Sequence, residues 1–286
     1  MEKYSFGRVL GCGSEGKVML GCNNQNHNKV AIKYLGQEHS ILNAMVNEVE
    51  ILEECAGHVN IINLLDVTTN KNGSFMVFEL METDLRHHKR FEGHEIRSFM
   101  RQILSGLAWI HSNKIVHQDI KPENLLVKGG VVKLADFGHA RRLWEQPREC
   151  FGTLSYHSPE QLKGERGLYS TAIDIWAAGC VFAEMVLEFR LFDPIDYEFM
   201  NEEDRKCQMM ELIQAWNSWS ELELIVGDKS TVELMARMLK VDPCKRISAQ
   251  GALKSKYFGS VEVGTPSMQM VGTGVCKNFN LACIAH

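Results

Sequence analysis

At 286 residues the chain can bury a substantial core, as one large domain or as two lobes. Its 45% hydrophobic and 23% charged residues are those of a soluble globular protein. The formal charge of −5 argues against a general binder of nucleic acid or of anionic membranes, local basic patches aside. Met1 to Tyr4 leads straight into a turn-rich strand pattern, so no basic-then-apolar leader is expected. The most apolar long stretch, Ile173 to Phe189, contains Asp174, Glu184 and Glu188, which predicts a buried helix and not a membrane span. Nine cysteines stand singly, at 12, 22, 55, 150, 180, 207, 244, 276 and 283. With no Cys-x-x-Cys pair, structural zinc is not expected, and reduced thiols place the chain in the cytosol or nucleus. Cys283-Ile284-Ala285-His286 loosely matches a prenylation box, but the final His is atypical and no polybasic run precedes it. We read it as the end of a frayed tail.

The chain opens with a predicted strand, Tyr4 to Leu10, followed by Gly11-Cys12-Gly13-Ser14-Glu15-Gly16-Lys17-Val18. Glycines at this spacing let a backbone turn approach phosphates closely and offer N–H groups to them. A plain hairpin turn is the other reading of the glycines alone. Gly11 to Lys17 nearly matches a Walker A loop, yet Val18 stands where Ser or Thr is required. Val18-Met19-Leu20 then predicts a strand, which excludes the helix that a Walker loop or a dinucleotide fingerprint needs. Lys29 to Tyr34 is the next strand, carrying Ala31 and Lys33. Ile41 to Cys55 reads as a helix with Ile41, Leu42, Met45, Val49 and Leu52 as its apolar stripe. Strands are expected at about Ile62–Val67 and Ser74–Glu79. Ile96, Phe99, Met100, Ile103, Leu104, Leu107 and Ile110 then recur at helical spacing.

That long helix delivers the stretch around which the chain is organised, His117-Gln118-Asp119-Ile120-Lys121-Pro122-Glu123-Asn124. A strand pair follows and ends in Asp136-Phe137-Gly138. Asp119 is a carboxylate on a loop, where it can accept a proton, and Lys121 is a cation two residues on. Asn124 and Asp136 supply oxygens suited to a hard cation such as Mg²⁺. A base, a lysine and metal-binding oxygens close in sequence match phosphoryl transfer, whose catalysis is mostly positioning and charge neutralisation.

These segments resemble the catalytic and metal-binding loops of eukaryotic protein kinases, with His-Gln-Asp in place of the usual His-Arg-Asp. The resemblance covers 1–258 and is closest to the cyclin-dependent and mitogen-activated kinases, notably over Met81-Glu82-Thr83-Asp84-Leu85. It implies an α+β, bilobal protein-kinase fold: a small β-rich N-lobe over 1–80, a mostly helical C-lobe over 81–258, and a mobile tail over 259–286. ATP would lie in the cleft between the lobes, covered by Gly11, Gly13 and Gly16. Val18, Ala31 and Leu126 would enclose the adenine, and Glu79-Leu80-Met81 would form its hinge behind the gatekeeper Phe78. Asp84 would meet the ribose. Lys33 would hold the α- and β-phosphates, braced by a glutamate on the next helix. Glu48 and Glu50 compete for that role, and Glu48 is preferred because it shares the face of Leu52. Asn124 and Asp136 would hold Mg²⁺, Asp119 would align the acceptor hydroxyl, and Lys121 would steady the γ-phosphate. By the same resemblance His117 is structural, packed under Phe137. Asp174 holds the catalytic-loop backbone, and Glu160 pairs with Arg246. Lys121 with Thr153 is the serine/threonine-kinase arrangement.

The chain also departs from the family. Gln118 cannot form the bidentate charge pair by which the usual arginine binds an activation-segment phosphate. The usual phosphorylated position is Arg148, beside Glu149, and no hydroxyl lies between Asp136 and Gly152. Receptor and acceptor are lost together, which implies activity without phosphorylation there. His157 stands where proline-directed kinases carry arginine, and Leu191 to Ser230 is too short for their insert. The expected function is an active Ser/Thr protein kinase using Mg·ATP on protein substrates. A pseudokinase scaffold or allosteric partner is the alternative, disfavoured because Lys33, Asp119 and Asp136 are all present. An activating partner that positions the Glu48 helix is compatible with the sequence.

Overall fold

The computed structural model describes residues 3–13, 16–36, 39–70, 73–145, 152–164, 170–193, 200–216 and 219–259. For residues 13, 39–44, 69 and 70 the description is of backbone alone. Ser14 and Glu15 of the glycine loop, the side chains of Ile41 and Leu42, Arg148 and Glu149, and the tail from 260 with its terminal cysteine box lie outside it.

The first part of the chain is a five-stranded antiparallel sheet built from β1 (Tyr4–Gly13), β2 (Gly16–Asn23), β3 (Lys29–Tyr34), β4 (Leu64–Asn70) and β5 (Gly73–Glu79). Its strand order is β1-β2-β3-β5-β4, with helix α1 (His39–Glu54) inserted between β3 and β4. Alternation decides the faces. Val30, Ile32, Phe75, Val77 and Tyr4 close a small core on one side. Met76, with Leu35 and the α1 residues Ile51 and Leu52, joins the main core on the other. Gly16 has φ +135°, and a Cβ there would run into the Tyr34 carbonyl, so only glycine fits where β2 leaves the hairpin.

The strand expected from Ile62 begins instead at Leu64 and runs on to Asn70. Ile61 and Ile62 are claimed by another partner: Ile61 bridges Leu134 in parallel, and the Ile62 amide donates to the Leu134 carbonyl at 3.0 Å. The backbone therefore crosses to the second half of the molecule before it enters the sheet. That leaves two apolar residues buried outside a strand.

The remainder is mostly helical. β6 (Thr83–Asp84) leads to α2 (Gly93–Ser112), whose predicted stripe from Ile96 to Ile110 is buried as expected. The Glu95 carboxylate accepts the Glu92 amide at 3.1 Å and so closes the N-terminus of α2. Then come β7 (Ile115–Val116), β8 (Leu125–Lys128), β9 (Val131–Leu134) and β10 (Arg141–Arg142). β6, β8 and β9 form one small sheet and β7 and β10 another. The helices α3 (Pro159–Leu162), α4 (Ala172–Leu187), α5 (Glu202–Ala215), α6 (Trp219–Val226), α7 (Lys229–Met238), α8 (Ala249–Leu253) and α9 (Lys256–Gly259) complete it.

α4 is buried from Ile173 through Ala183 and forms the centre of the helical part. It stops at Glu188, whose left-handed φ of 63° turns the chain out, so Phe189 ends half exposed and not in the helix. Among the described residues, no helix is long and apolar enough to cross a membrane. Arg246 is fixed beneath α4 by two hydrogen bonds to Glu160, at 2.7 and 3.0 Å, and lies over the Trp176 ring. Both members of the pair are fully buried. That geometry and the further bonds of Arg246 to the carbonyls of Lys240 and Ala172 offset the cost of removing two charges from water.

Candidate active site

β7 runs directly into the loop that carries Asp119, and α4 fixes that loop from below. The two oxygens of Asp174 accept the amides of His117 and Gln118, each at 2.9 Å. His111 on α2 adds a third contact to Asp174 at 2.8 Å. Asp174 is 1% exposed, so these bonds act in a dry environment where they hold the backbone firmly. His117 packs on Phe137, ring centroids 4.7 Å apart, and its Nε2 lies 3.0 Å from the Ala135 carbonyl. Gln118 sits at φ +70°, a conformation that costs energy for a side chain with a Cβ and that persists here under the bonds to Asp174. Its amide nitrogen donates to the His139 carbonyl at 3.0 Å, while its buried oxygen has no partner among the described residues.

Asp119 is buried and faces three polar groups. Lys121 Nζ stands 2.8 Å from one carboxylate oxygen and Asn124 Nδ2 donates to the same oxygen at 2.9 Å. Thr153, across from the loop, donates to the other oxygen at 3.4 Å and accepts from Lys121 at 3.1 Å. Gly152, at φ +105°, lies so close to the Gln118 carbonyl that a Cβ would collide with it. This close approach brings Thr153 onto the catalytic loop.

A second cluster forms above. Lys33 on β3 contacts Glu48 of α1 at 3.2 and 3.4 Å, and Asp136 at 2.7 Å. Glu48 is 3% exposed, whereas Glu50 turns to the surface and pairs with Arg142, which settles the choice of the inward glutamate. Asp136 takes φ +62° at the end of β9, which aims its carboxylate toward Lys33. One Asp136 oxygen binds Lys33, and the second takes no hydrogen bond among the described residues. Asn124 spends its nitrogen on the carbonyl and carboxylate of Asp119, at 2.8 and 2.9 Å, and its oxygen takes no hydrogen bond among the described residues. One carboxylate and one amide oxygen are hard donors that fit Mg²⁺, which keeps few protein ligands.

The residues expected around a nucleotide are spread over β1, β2, β3 and β5 of the large sheet, β6 and β8 of the small one, and the link between β5 and β6. Gly11 pairs with Val18 and Gly13 with Gly16 across the β1–β2 hairpin, and Val18 pairs with Lys33 on β3. A Cβ on Gly11 would meet nothing within 4 Å, so no neighbour requires glycine there. Ala31 lies beside Phe78, and Asp84 beside Leu126. Leu126 and Met81 are half-buried against the main core. Glu79 uses its carboxylate on Lys133 at 2.7 Å, and its amide on the Asn63 carbonyl. Asp84 accepts the His87 amide at 2.9 Å.

Three residues that sequence reasoning passed over organise the surroundings. Arg86 binds Glu123, Glu184 and Tyr156 at 2.8, 2.5 and 2.6 Å, tying β6 to the catalytic loop and to α4. Asn47 donates to the Ala140 carbonyl at 3.0 Å, and Arg142 meets three carboxylates. Apart from Arg142–Glu145, three residues apart, each contact spans a long stretch of sequence that no local pattern marks.

A five-stranded antiparallel sheet over a helical body, with a lysine–glutamate pair facing a loop-borne aspartate, is a bilobal α+β phosphotransferase architecture. The profile of the family described as the protein kinase domain matches residues 4–258. The chain belongs to the protein kinase family, whose members transfer phosphoryl groups to proteins and generally use ATP with Mg²⁺.

Proposed function

We propose that the chain is a serine/threonine protein kinase of the cyclin-dependent and mitogen-activated type, active without phosphate on its activation segment. The observation that carries this reading is the assembly of both clusters around a loop in which Gln118 offers no cation to a phosphate and spends its side-chain nitrogen on the His139 carbonyl. Lys33 is held between Glu48 and Asp136, and Asp119 is joined to Lys121 and Thr153. Lys33 positions phosphate oxygens while Glu48 keeps it from swinging away. Asp119 orients the acceptor hydroxyl and takes its proton, and Lys121 offsets negative charge beside it. Asp136 and Asn124 would hold Mg²⁺, which neutralises phosphate charge when bound. Gly11, Gly13 and Gly16 leave space above the phosphates, while Val18, Ala31, Leu126 and the 79–81 hinge enclose the base and Asp84 the ribose. The odd, dispersed set of cysteines in the sequence is what favours a reducing compartment, cytosol or nucleus.

The test is Mg·ATP-dependent phosphorylation of a generic Ser/Thr substrate after phosphatase treatment, with Asp136→Asn as control. Activity in the treated enzyme, lost in the variant by a factor of roughly 10² or more, is the expected result. Tyrosine as the only residue phosphorylated would overturn the specificity. Dependence on an added protein would instead establish an activating partner.

A further inference from the structure

One organised cluster of charge has no part in the site described above. Arg142 lies on β10, paired with Ile115 of β7, the strand that enters the catalytic loop. Its guanidinium reaches Glu54 at 2.5 and 3.2 Å, Glu50 at 3.3 Å and Glu145 at 3.3 Å. Arg142 is 12% exposed, against 56% for Glu50 and 43% for Glu54, so the carboxylates cover the cation. Glu50 and Glu54 are four residues apart on one face of α1, where a single planar fork can reach both. Glu48, two residues before Glu50, faces the other way, onto Lys33. One helix thus carries the contact with Lys33 on one face and the contact with β10 on another. Asn47 adds a bond from the same helix to the Ala140 carbonyl, just before β10.

A phosphate on an activation segment works by supplying negative charge that arginines can pair with, which orders the segment. Here the pairing is already complete, because the negative charge comes from α1 and Glu145 and the arginine from β10. We propose that Arg142 is a positioning residue: its clasp on Glu50 and Glu54 holds α1 against the segment after Asp136, and so keeps Glu48 on Lys33 without a phosphate. The inference rests on the reading that the enzyme works unphosphorylated, and it names the device that makes this so. Exposed ion pairs taken one at a time are weak. A largely covered fork shared by three carboxylates is a network, and network contacts are stronger than isolated ones.

The test uses the full chain after phosphatase treatment, with wild type, Arg142→Ala and the charge exchange Arg142→Glu/Glu50→Arg/Glu54→Arg. The readouts are kcat and KM for ATP, and amide hydrogen exchange over residues 45–54. Arg142→Ala is expected to lower kcat roughly tenfold, to change KM for ATP by less than about threefold, and to speed exchange in α1. The charge exchange is expected to regain most of both, which a loss of general packing would not do. If Arg142→Ala fails to fold, Glu50→Gln/Glu54→Gln, at exposed positions, carries the same readouts. An active wild type matched by Arg142→Ala in kcat and exchange removes this inference alone. A treated wild type that is inactive until rephosphorylated removes the reading beneath it, and the inference with that reading.

Discussion

His58 shows how a single side chain can report on the frame that holds the site. It lies between α1 and β4, stacked on Trp109 at 5.5 Å, and its Nδ1 accepts the Asn60 amide at 3.2 Å. Burial, and then the neighbouring Lys133, hold its pKa below the ordinary 6.5. As pH falls, the unfolded chain takes up this proton first, so stability is full above about 6.5 and is lost as pH drops through the folded-state value. Melting temperature measured from pH 8 to 5 should therefore decline at the acid end, and His58→Gln should flatten that part of the decline. An unchanged slope would mean that other groups carry it. The sequence offers little warning of this role, because the partners that define it, Trp109 and Lys133, lie far along the chain.

At the scale of elements, two glycines of one hairpin differ in what they require. Gly16 is fixed by backbone: its φ of +135° and the adjacent Tyr34 carbonyl forbid a side chain. Gly16→Ala should cost about 1–3 kcal/mol of stability. Gly11 has open space around it, so Gly11→Ala should leave the melting temperature in place and raise KM for ATP instead. Thermal melts and nucleotide titrations on the two variants separate these outcomes, and equal destabilisation would refute the distinction. The elements themselves were largely legible. The α2 stripe from Ile96 to Ile110 and the alternation of β3 each match the period of one element type. The strand expected from Ile62 starts two residues later because a partner from the other half of the molecule, Leu134, decides the conformation of Ile61 and Ile62. Apolar spacing cannot encode that choice.

Across the whole molecule, the buried pair Glu160–Arg246 joins the end of the activation segment to the chain before α8, 86 residues away. Glu160→Gln leaves a guanidinium buried without its counter-charge and should cost about 3–5 kcal/mol. The predicted readout is a lower melting temperature together with reduced activity, and an unaltered melt would show that the carbonyls around Arg246 suffice. Sequence alone determined the order of motifs, the helical and strand periods, and the residues able to hold a proton, a phosphate or a hard cation. Those follow from residue chemistry and local spacing. Only the tertiary structure decided that Glu48 and not Glu50 meets Lys33, and that Asp174 holds the loop through two amides with His111 beside it. It also decided that Arg142 closes on α1. Each of these pairs residues far apart in the chain through directional contacts of a few ångströms, and such contacts exist only once the core has set helix rotation and strand register.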